Sequence, residues 1–367
     1  MKQKKIALVS SKDYNFYNFR SEMILKLVEM GYDVTLICPY GKKIDYFTER
    51  GCSFEGHTMD RRGTNAFKDL KLIADYYKIL KKVKPDLVLT YTTKSSVYSG
   101  LVCRLLRIPY IVNNAGLITN HNYGFVVGKT LNMLYKFGFG KASCMMYQNT
   151  LERDTLNKLL DNKIPYHDIP GSGVNLNQFS YHDYPGNENP VIFNYVARVV
   201  SIKGIGEYLK CAEQIHKEYP NTLFMIYGGY DDECYRPEIE RLEKEGAVKY
   251  AGVQMDMIPC IVKAHAAIHA SYYEGMTNVV LEHGAIGRPT IGSNIPGIKE
   301  GIDDGVSGYL FEAKNVDSLV ESVRKFMNLS LEEKKAMGLA SRKKMEKEFN
   351  REIVTNIYVD EIKRILS

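Results

Sequence analysis

Val191-Ile192-Phe193-Asn194-Tyr195, followed after Val196 by Ala197-Arg198-Val199-Val200-Ser201-Ile202-Lys203-Gly204, is where the chain begins its architecture a second time. A short apolar run that ends in a polar, glycine-bounded loop reads as a buried strand feeding a helix. Upstream, the runs Ile6–Val9, Val34–Ile37, Leu87–Leu89, Tyr110–Val112 and Cys144–Tyr147 alternate with helical patterns over Ser21–Met30, Asn65–Val83, Ser96–Leu106 and Phe125–Phe137. Downstream, Leu223–Tyr227, Ala266–His269, Thr290–Gly292 and Tyr309–Phe311 continue the alternation, with helices between them. Strands alternating with helices predict parallel sheets. The rhythm breaks at Ile169-Pro170-Gly171-Ser172-Gly173 and again over 184–190. Two doubly wound α/β domains follow, and a length of 367 residues suits that number. Such sheets bind ligands at the C-terminal ends of their strands. Two of them facing one another would meet at a central cleft.

Composition excludes several classes. No apolar run is long enough to span a bilayer, and Met1-Lys2-Gln3-Lys4-Lys5 leads into a strand without the apolar core of a signal peptide. The seven cysteines are odd in number, scattered and free of any CxxC pair, which reads as reduced core thiols in a cytoplasmic protein, without a disulfide framework or a metal site. The net charge of +6 hides a split: residues 1–170 carry 26 Lys+Arg against 15 Asp+Glu, and the remainder 23 against 28. From Leu87 to Leu151 there is no acidic residue at all. A basic, apolar first half suits an anionic surface or ligand, although a solvated charged face would read the same way. No nucleic-acid recognition motif accompanies the charge.

Three stretches carry chemistry. Ser271-Tyr272-Tyr273-Glu274-Gly275-Met276-Thr277-Asn278-Val279-Val280-Leu281-Glu282 places two carboxylates eight positions apart around a predicted helix start near Thr277. A helix N-terminus presents unpaired N–H groups and the positive end of its dipole, which suits a phosphate. Gly275 lets backbone approach a ligand, and Glu282, about one turn inside, could accept two hydrogen bonds from a ribose diol. Arg198 and Lys203 sit in a loop opening a helix and suit a diphosphate. Gly228-Gly229 ends a strand where backbone can come close. Singly, each has a plain alternative: solvated cap carboxylates, a basic strand-end loop, an ordinary turn. Gly124-Phe125-Val126-Val127-Gly128-Lys129-Thr130 is one residue short of a P-loop, and Ser10-Ser11-Lys12-Asp13 stands where a G-x-G-x-x-G would follow the first strand. Asp231-Asp232 reads as a surface-loop pair, and no Asp-x-Asp of the metal-dependent type is present.

In this order, the pieces resemble the retaining glycosyltransferases of family four, which have the GT-B fold of two Rossmann-like domains. Supporting matches are Gly252 after a short strand, Ile295-Pro296-Gly297-Ile298-Lys299-Glu300 and Gly305-Val306-Ser307-Gly308-Tyr309-Leu310. Asp60-Arg61-Arg62-Gly63-Thr64-Asn65, Leu89-Thr90-Tyr91-Thr92-Thr93-Lys94 and Asn113-Asn114-Ala115-Gly116-Leu117 resemble bacterial enzymes of capsule, O-antigen and glycoprotein-glycan assembly. The resemblance implies an acceptor-binding domain over 1–170, a sugar-nucleotide-binding domain over 171–345, and a C-terminal helix over 346–367 packing back on the first. It implies that Arg198, Lys203 and Glu274 act on the donor diphosphate and sugar. Glu282, Gly228, Val253 and the backbone of Gly275, Met276, Thr277, Asn278 and Val279 would bind the UDP-sugar, and Lys94, Asn114 and Gly116 the acceptor. That acceptor would be a polyprenyl-diphosphate-linked saccharide.

A family-four enzyme of this kind would move a hexose or N-acetylhexosamine with retention, with the sugar nucleotide as substrate and neither cofactor nor metal. The helices 65–84 and 124–141, apolar with interspersed lysines, suit an anionic membrane interface. The expected location is thus cytoplasmic, peripheral on the inner face of the cell membrane. Two rival readings remain: a sugar-nucleotide epimerase or hydrolase of the same fold, and a non-catalytic sugar-nucleotide-binding protein.

Overall fold

The computed structural model describes residues 3–59, 66–113, 125–161, 163–186 and 190–367. The chain divides into two compact units, one made of Met1–Ser172 with Glu352–Ser367 and the other of Gly173–Arg351. The expected Asn114, Gly116 and the 60–65 motif lie outside the described residues.

Among the described residues the first unit holds seven strands: β1 (Lys5–Val9), β2 (Asp33–Cys38), β3 (Ser53–Gly56), β4 (Leu87–Tyr91), β5 (Tyr110–Asn113), β6 (Cys144–Tyr147) and β7 (Tyr166–Asp168). They lie in the order β3-β2-β1-β4-β5-β6-β7, every pair parallel. The helices between them are α1 (Asp13–Glu29), α2 (Asp45–Thr48), α3 (Ala66–Val83), α4 (Thr93–Leu106), α5 (Phe125–Phe139) and α6 (Thr150–Leu159). Central strands such as β4 are buried at every residue, because helices cover both faces of the sheet. β3 and β7 escaped the reading of the sequence because they are edge strands with exposed residues and no apolar run. α1 begins at Asp13, eight residues before the expected Ser21. The aromatic-polar stretch before Ser21 conceals a buried stripe of Phe16, Arg20, Met23, Ile24 and Leu27, spaced for one helix face.

The second unit holds β8 (Val191–Val196), β9 (Thr222–Tyr227), β10 (Val248–Gly252), β11 (Ala266–His269), β12 (Thr290–Ser293) and β13 (Gly308–Phe311), in the order β10-β9-β8-β11-β12-β13 and again parallel. Its helices are α7 (Ile205–Glu218), α8 (Arg236–Lys244), α9 (Ile258–Lys263), α10 (Asn278–Ile286), α11 (Val316–Met327) and α12 (Leu331–Glu348). α13 (Arg351–Leu366) returns to the first unit, where Val354, Tyr358, Val359 and Ile362 are buried with Phe16, Leu36, Leu89 and Ile111. Among the described residues no helix is long and apolar enough to cross a membrane.

Candidate donor site at the strand ends of the second unit

Three strand ends are stitched together first. Ala197 N–H donates to Tyr227 O at 3.1 Å, Val199 N–H to Gly229 O at 2.9 Å, and Gly228 N–H to Gly252 O at 2.9 Å. Gly228 adopts φ +152°, and a Cβ there would overlap the carbonyl of Ala197. Only glycine therefore lets the end of β9 lie against the loop carrying Arg198. Arg198 itself is exposed, and its guanidinium pairs with Asp231. Asp231 is thus more than the surface-loop acid the sequence suggested. It occupies a fork that could otherwise grip a phosphate. Val253, after Gly252 at φ +65°, is largely exposed.

A second pair of loops closes beside it. Gly204, at φ +70°, starts α7 where a Cβ would overlap Ala270 O, and Tyr272 N–H donates to Ile202 O at 3.0 Å. The contact brings Lys203 Nζ to 2.5 Å from Glu274 Oε1. A third loop holds Glu274 from the other side: Gly297, at φ +87°, lies against the Gly275 carbonyl, and Thr277 N–H donates to Gly297 O at 3.0 Å. α10 then begins with Thr277 as its N-cap and no side-chain hydrogen bond at that cap. Asn278 and Val279 are half-buried at the open end, while the side chains of Met276 and Thr277 are buried, leaving these two only their backbone to offer a ligand.

The carboxylates differ in state. Burial pushes Glu274 upward, but the hydrogen bond and charge of His269 and the Lys203 ammonium outweigh it and hold the carboxyl down to about 2. Glu282, on α10, is pushed up to about 7 by burial, against the opposing charge of Arg351. No hydrogen bond to its carboxylate is present among the described residues. Lys203 and Glu274 thus meet directly, Arg198 sits at the neighbouring strand end with Gly228, and Glu282 stands one turn into the helix.

His269 was missed by sequence reasoning. It closes β11, is 3% exposed, and its Nε2 lies 3.1 Å from Glu274 Oε1 and 3.0 Å from Thr277 Oγ1. Its signal was a polar side chain at the C-terminal end of a parallel strand, where such sheets place their functional groups. In the first unit, Lys94 at the start of α4 is paired with Asp69 at 2.6 Å, so the cation expected to meet an acceptor diphosphate already has a counter-charge. One metal-like triple occurs among the described residues: Cys144, His167 and Glu361. Arg364 donates to both oxygens of Glu361, at 2.8 and 2.6 Å, which already supplies that carboxylate with a cation.

Residues 5–149 match the family described as Glycosyl transferase 4-like, and residues 180–344 match Glycosyl transferases group 1. The chain is 26% identical over 351 residues to the N,N'-diacetylbacillosaminyl-diphospho-undecaprenol alpha-1,3-N-acetylgalactosaminyltransferase of Campylobacter jejuni, covering 90% of each. It is 26% identical over 315 residues to the UDP-Gal:alpha-D-GlcNAc-diphosphoundecaprenol alpha-1,3-galactosyltransferase of Escherichia coli, covering 80% of this chain and 79% of that one. A solved glycosyltransferase from Rickettsia africae superposes with a TM-score of 0.77 over 100% of both chains at 18% identity, a likeness of fold.

Proposed function

Because the chain belongs to the group 1, family-four glycosyltransferases, with their GT-B fold, we propose that it moves a hexose or N-acetylhexosamine from a UDP-sugar, with retention, onto a polyprenyl-diphosphate-linked saccharide. One observation carries the donor half of the reading: the loops after β8 and β11 place Arg198, Lys203, Glu274 and the uncapped start of α10 around neighbouring strand ends. Departure of a nucleoside diphosphate builds negative charge on its oxygens. Preorganised cations and helix N–H groups stabilise such charge best where water is excluded. Arg198 would turn from Asp231 to the diphosphate, and Lys203 from Glu274. Glu282, ionised above about pH 7, would accept from the ribose diol. Glu274 would face the transferred sugar.

The acceptor half rests on the relatives, whose names specify undecaprenyl-diphosphate-linked substrates, and on the basic first half. A lipid-linked acceptor calls for a membrane-facing surface. Phe67 and Leu70 on α3, and Met133 and Phe137 on α5, are exposed, with Lys71, Lys129 and Lys136 exposed beside them. Apolar side chains beside lysines suit an anionic interface, and this supports reading the enzyme as peripheral on the inner face of the cell membrane. The test is to incubate the protein with UDP-sugars, with and without a polyprenyl-diphosphate-linked sugar, and to follow UDP release. Release that depends on the acceptor is expected. Release without it would favour an epimerase or hydrolase, and no release with any nucleotide donor would overturn the proposal. Failure to pellet with anionic liposomes at low salt would overturn the membrane assignment.

A further inference from the structure

Lys203 and His269 both meet the same oxygen of Glu274, and they differ in kind. Lys203 Nζ, 2.5 Å from Oε1, ends a flexible stem in the loop before α7 and is about one-fifth exposed. In the proposed reaction it is also one of the two cations that meet the donor diphosphate. A diphosphate that draws Lys203 toward itself weakens that ion pair. His269 is fixed. It ends the buried strand β11, and its Nε2 lies 3.1 Å from Oε1 of Glu274 and 3.0 Å from Oγ1 of Thr277, the N-cap of α10. An ionised carboxylate needs donors, so the ring nitrogen facing it carries its hydrogen on that edge. One imidazole thus ties the carboxylate to the start of the phosphate-facing helix. Among the described residues, the titratable groups acting on or felt by Glu274 include Lys203 from the α7 loop, His269 from β11 and Tyr195 from β8.

We propose that His269 is a positioning residue, which holds Glu274 oriented and charged toward the donor sugar while Lys203 is engaged by the diphosphate. The proposal rests on the donor-site reading above. It makes Lys203 the exchangeable partner and His269 the permanent one. Without the imidazole, the buried carboxylate loses the donor that β11 fixes against it. A carboxylate that loses a donor holds a proton more readily and is less firmly oriented, and the step after donor binding suffers.

The experiment compares full-length wild type, His269→Leu, His269→Gln and Glu274→Gln in steady-state UDP release across pH 5 to 9. His269→Leu removes the donor at similar volume; the amide of His269→Gln can supply it again. The expected result for His269→Leu is a kcat lower by about 10- to 100-fold, the range typical of losing a group that orients a functional side chain, with the donor KM within about threefold. Its acid limb in kcat moves to higher pH. His269→Gln restores most of kcat and the wild-type limb. A folded His269→Leu enzyme with wild-type kcat overturns the proposal, as does an equal loss in both variants with no movement of the limb, which is a packing effect. A carbon-13 titration of Glu274 gives a second readout independent of turnover. If wild type releases UDP from no donor, the functional reading falls, and the titration still decides this inference. An unchanged Glu274 midpoint in His269→Leu sinks it, and a raised midpoint upholds it.

Discussion

Glu282→Gln should make the second unit more stable and a poorer donor binder at once. The carboxyl of Glu282 titrates near 4.5 when unfolded and near 7 in the folded chain, because burial penalises its charge more than Arg351 relieves it. The folded state therefore holds its proton more tightly, and stability from this group falls as pH rises from about 4.5 to 7. At roughly 1.4 kcal/mol per pH unit, the full cost above pH 7 is on the order of 3 kcal/mol. Glutamine carries no charge and escapes it. For a unit of this size, 1 kcal/mol moves the melting temperature by roughly 2–4 °C. Glu282→Gln should then unfold on the order of 6–12 °C above wild type at pH 8, with the gap closing by pH 4.5. Differential scanning calorimetry of the ligand-free protein at the two pH values measures it. Donor affinity should move the other way, because losing a charged acceptor costs about 1.5–3 kcal/mol, roughly 10- to 150-fold in Kd. Equal melting temperatures at pH 8, or a gap of the same size at both pH values, would refute the assignment of a desolvated carboxylate.

Glu274 should behave with the opposite sign. Its carboxyl is held down to about 2, so it adds stability above pH 4.5 that is lost as pH falls toward 2, and Glu274→Gln should lose its stability deficit in that window when followed by acid unfolding. Gly228→Ala should lower donor affinity at least tenfold and destabilise the second unit by several kcal/mol, since its Cβ would strike the Ala197 carbonyl in a left-handed backbone; calorimetry and donor titration read both. Asp231→Asn frees the Arg198 guanidinium, and the expected outcome is donor binding tightened a few-fold with a steeper salt dependence in a nucleotide titration.

The buried strands were legible because helices on both faces leave them unbroken apolar runs, as in Ile6–Val9 and Leu87–Leu89. β3 and β7 were not, because an edge strand is held by one neighbour and shows solvent a mixed surface. Arg198, Lys203, Glu274 and Glu282 stood out through their spacing and resemblance, which report residue types at strand ends. The partners of those residues did not. Whether Asp231 meets Arg198 depends on Gly228 letting two strand ends touch, and whether His269 meets Glu274 depends on Gly204 and Gly297 folding two loops onto a third. The glycine contacts behind these meetings, Gly228 on Ala197, Gly204 on Ala270 and Gly297 on Gly275, join residues 22 to 66 positions apart, beyond any local pattern. His269 read as one more letter of an apolar strand.

The return of α13 has a consequence for how the protein is made. The first unit is discontinuous: its core contains Val354, Tyr358, Val359 and Ile362 from a helix translated after all of Gly173–Arg351. Asn113 Nδ2 donates to Tyr358 Oη at 2.6 Å, and the Arg20 guanidinium lies over both the Tyr91 and Tyr358 rings. During synthesis the second unit is complete first, as one uninterrupted stretch of chain. The earlier-born unit waits on the ribosome with an apolar flank uncovered, and chaperones that shield nascent apolar surface have their natural client in residues 3–172.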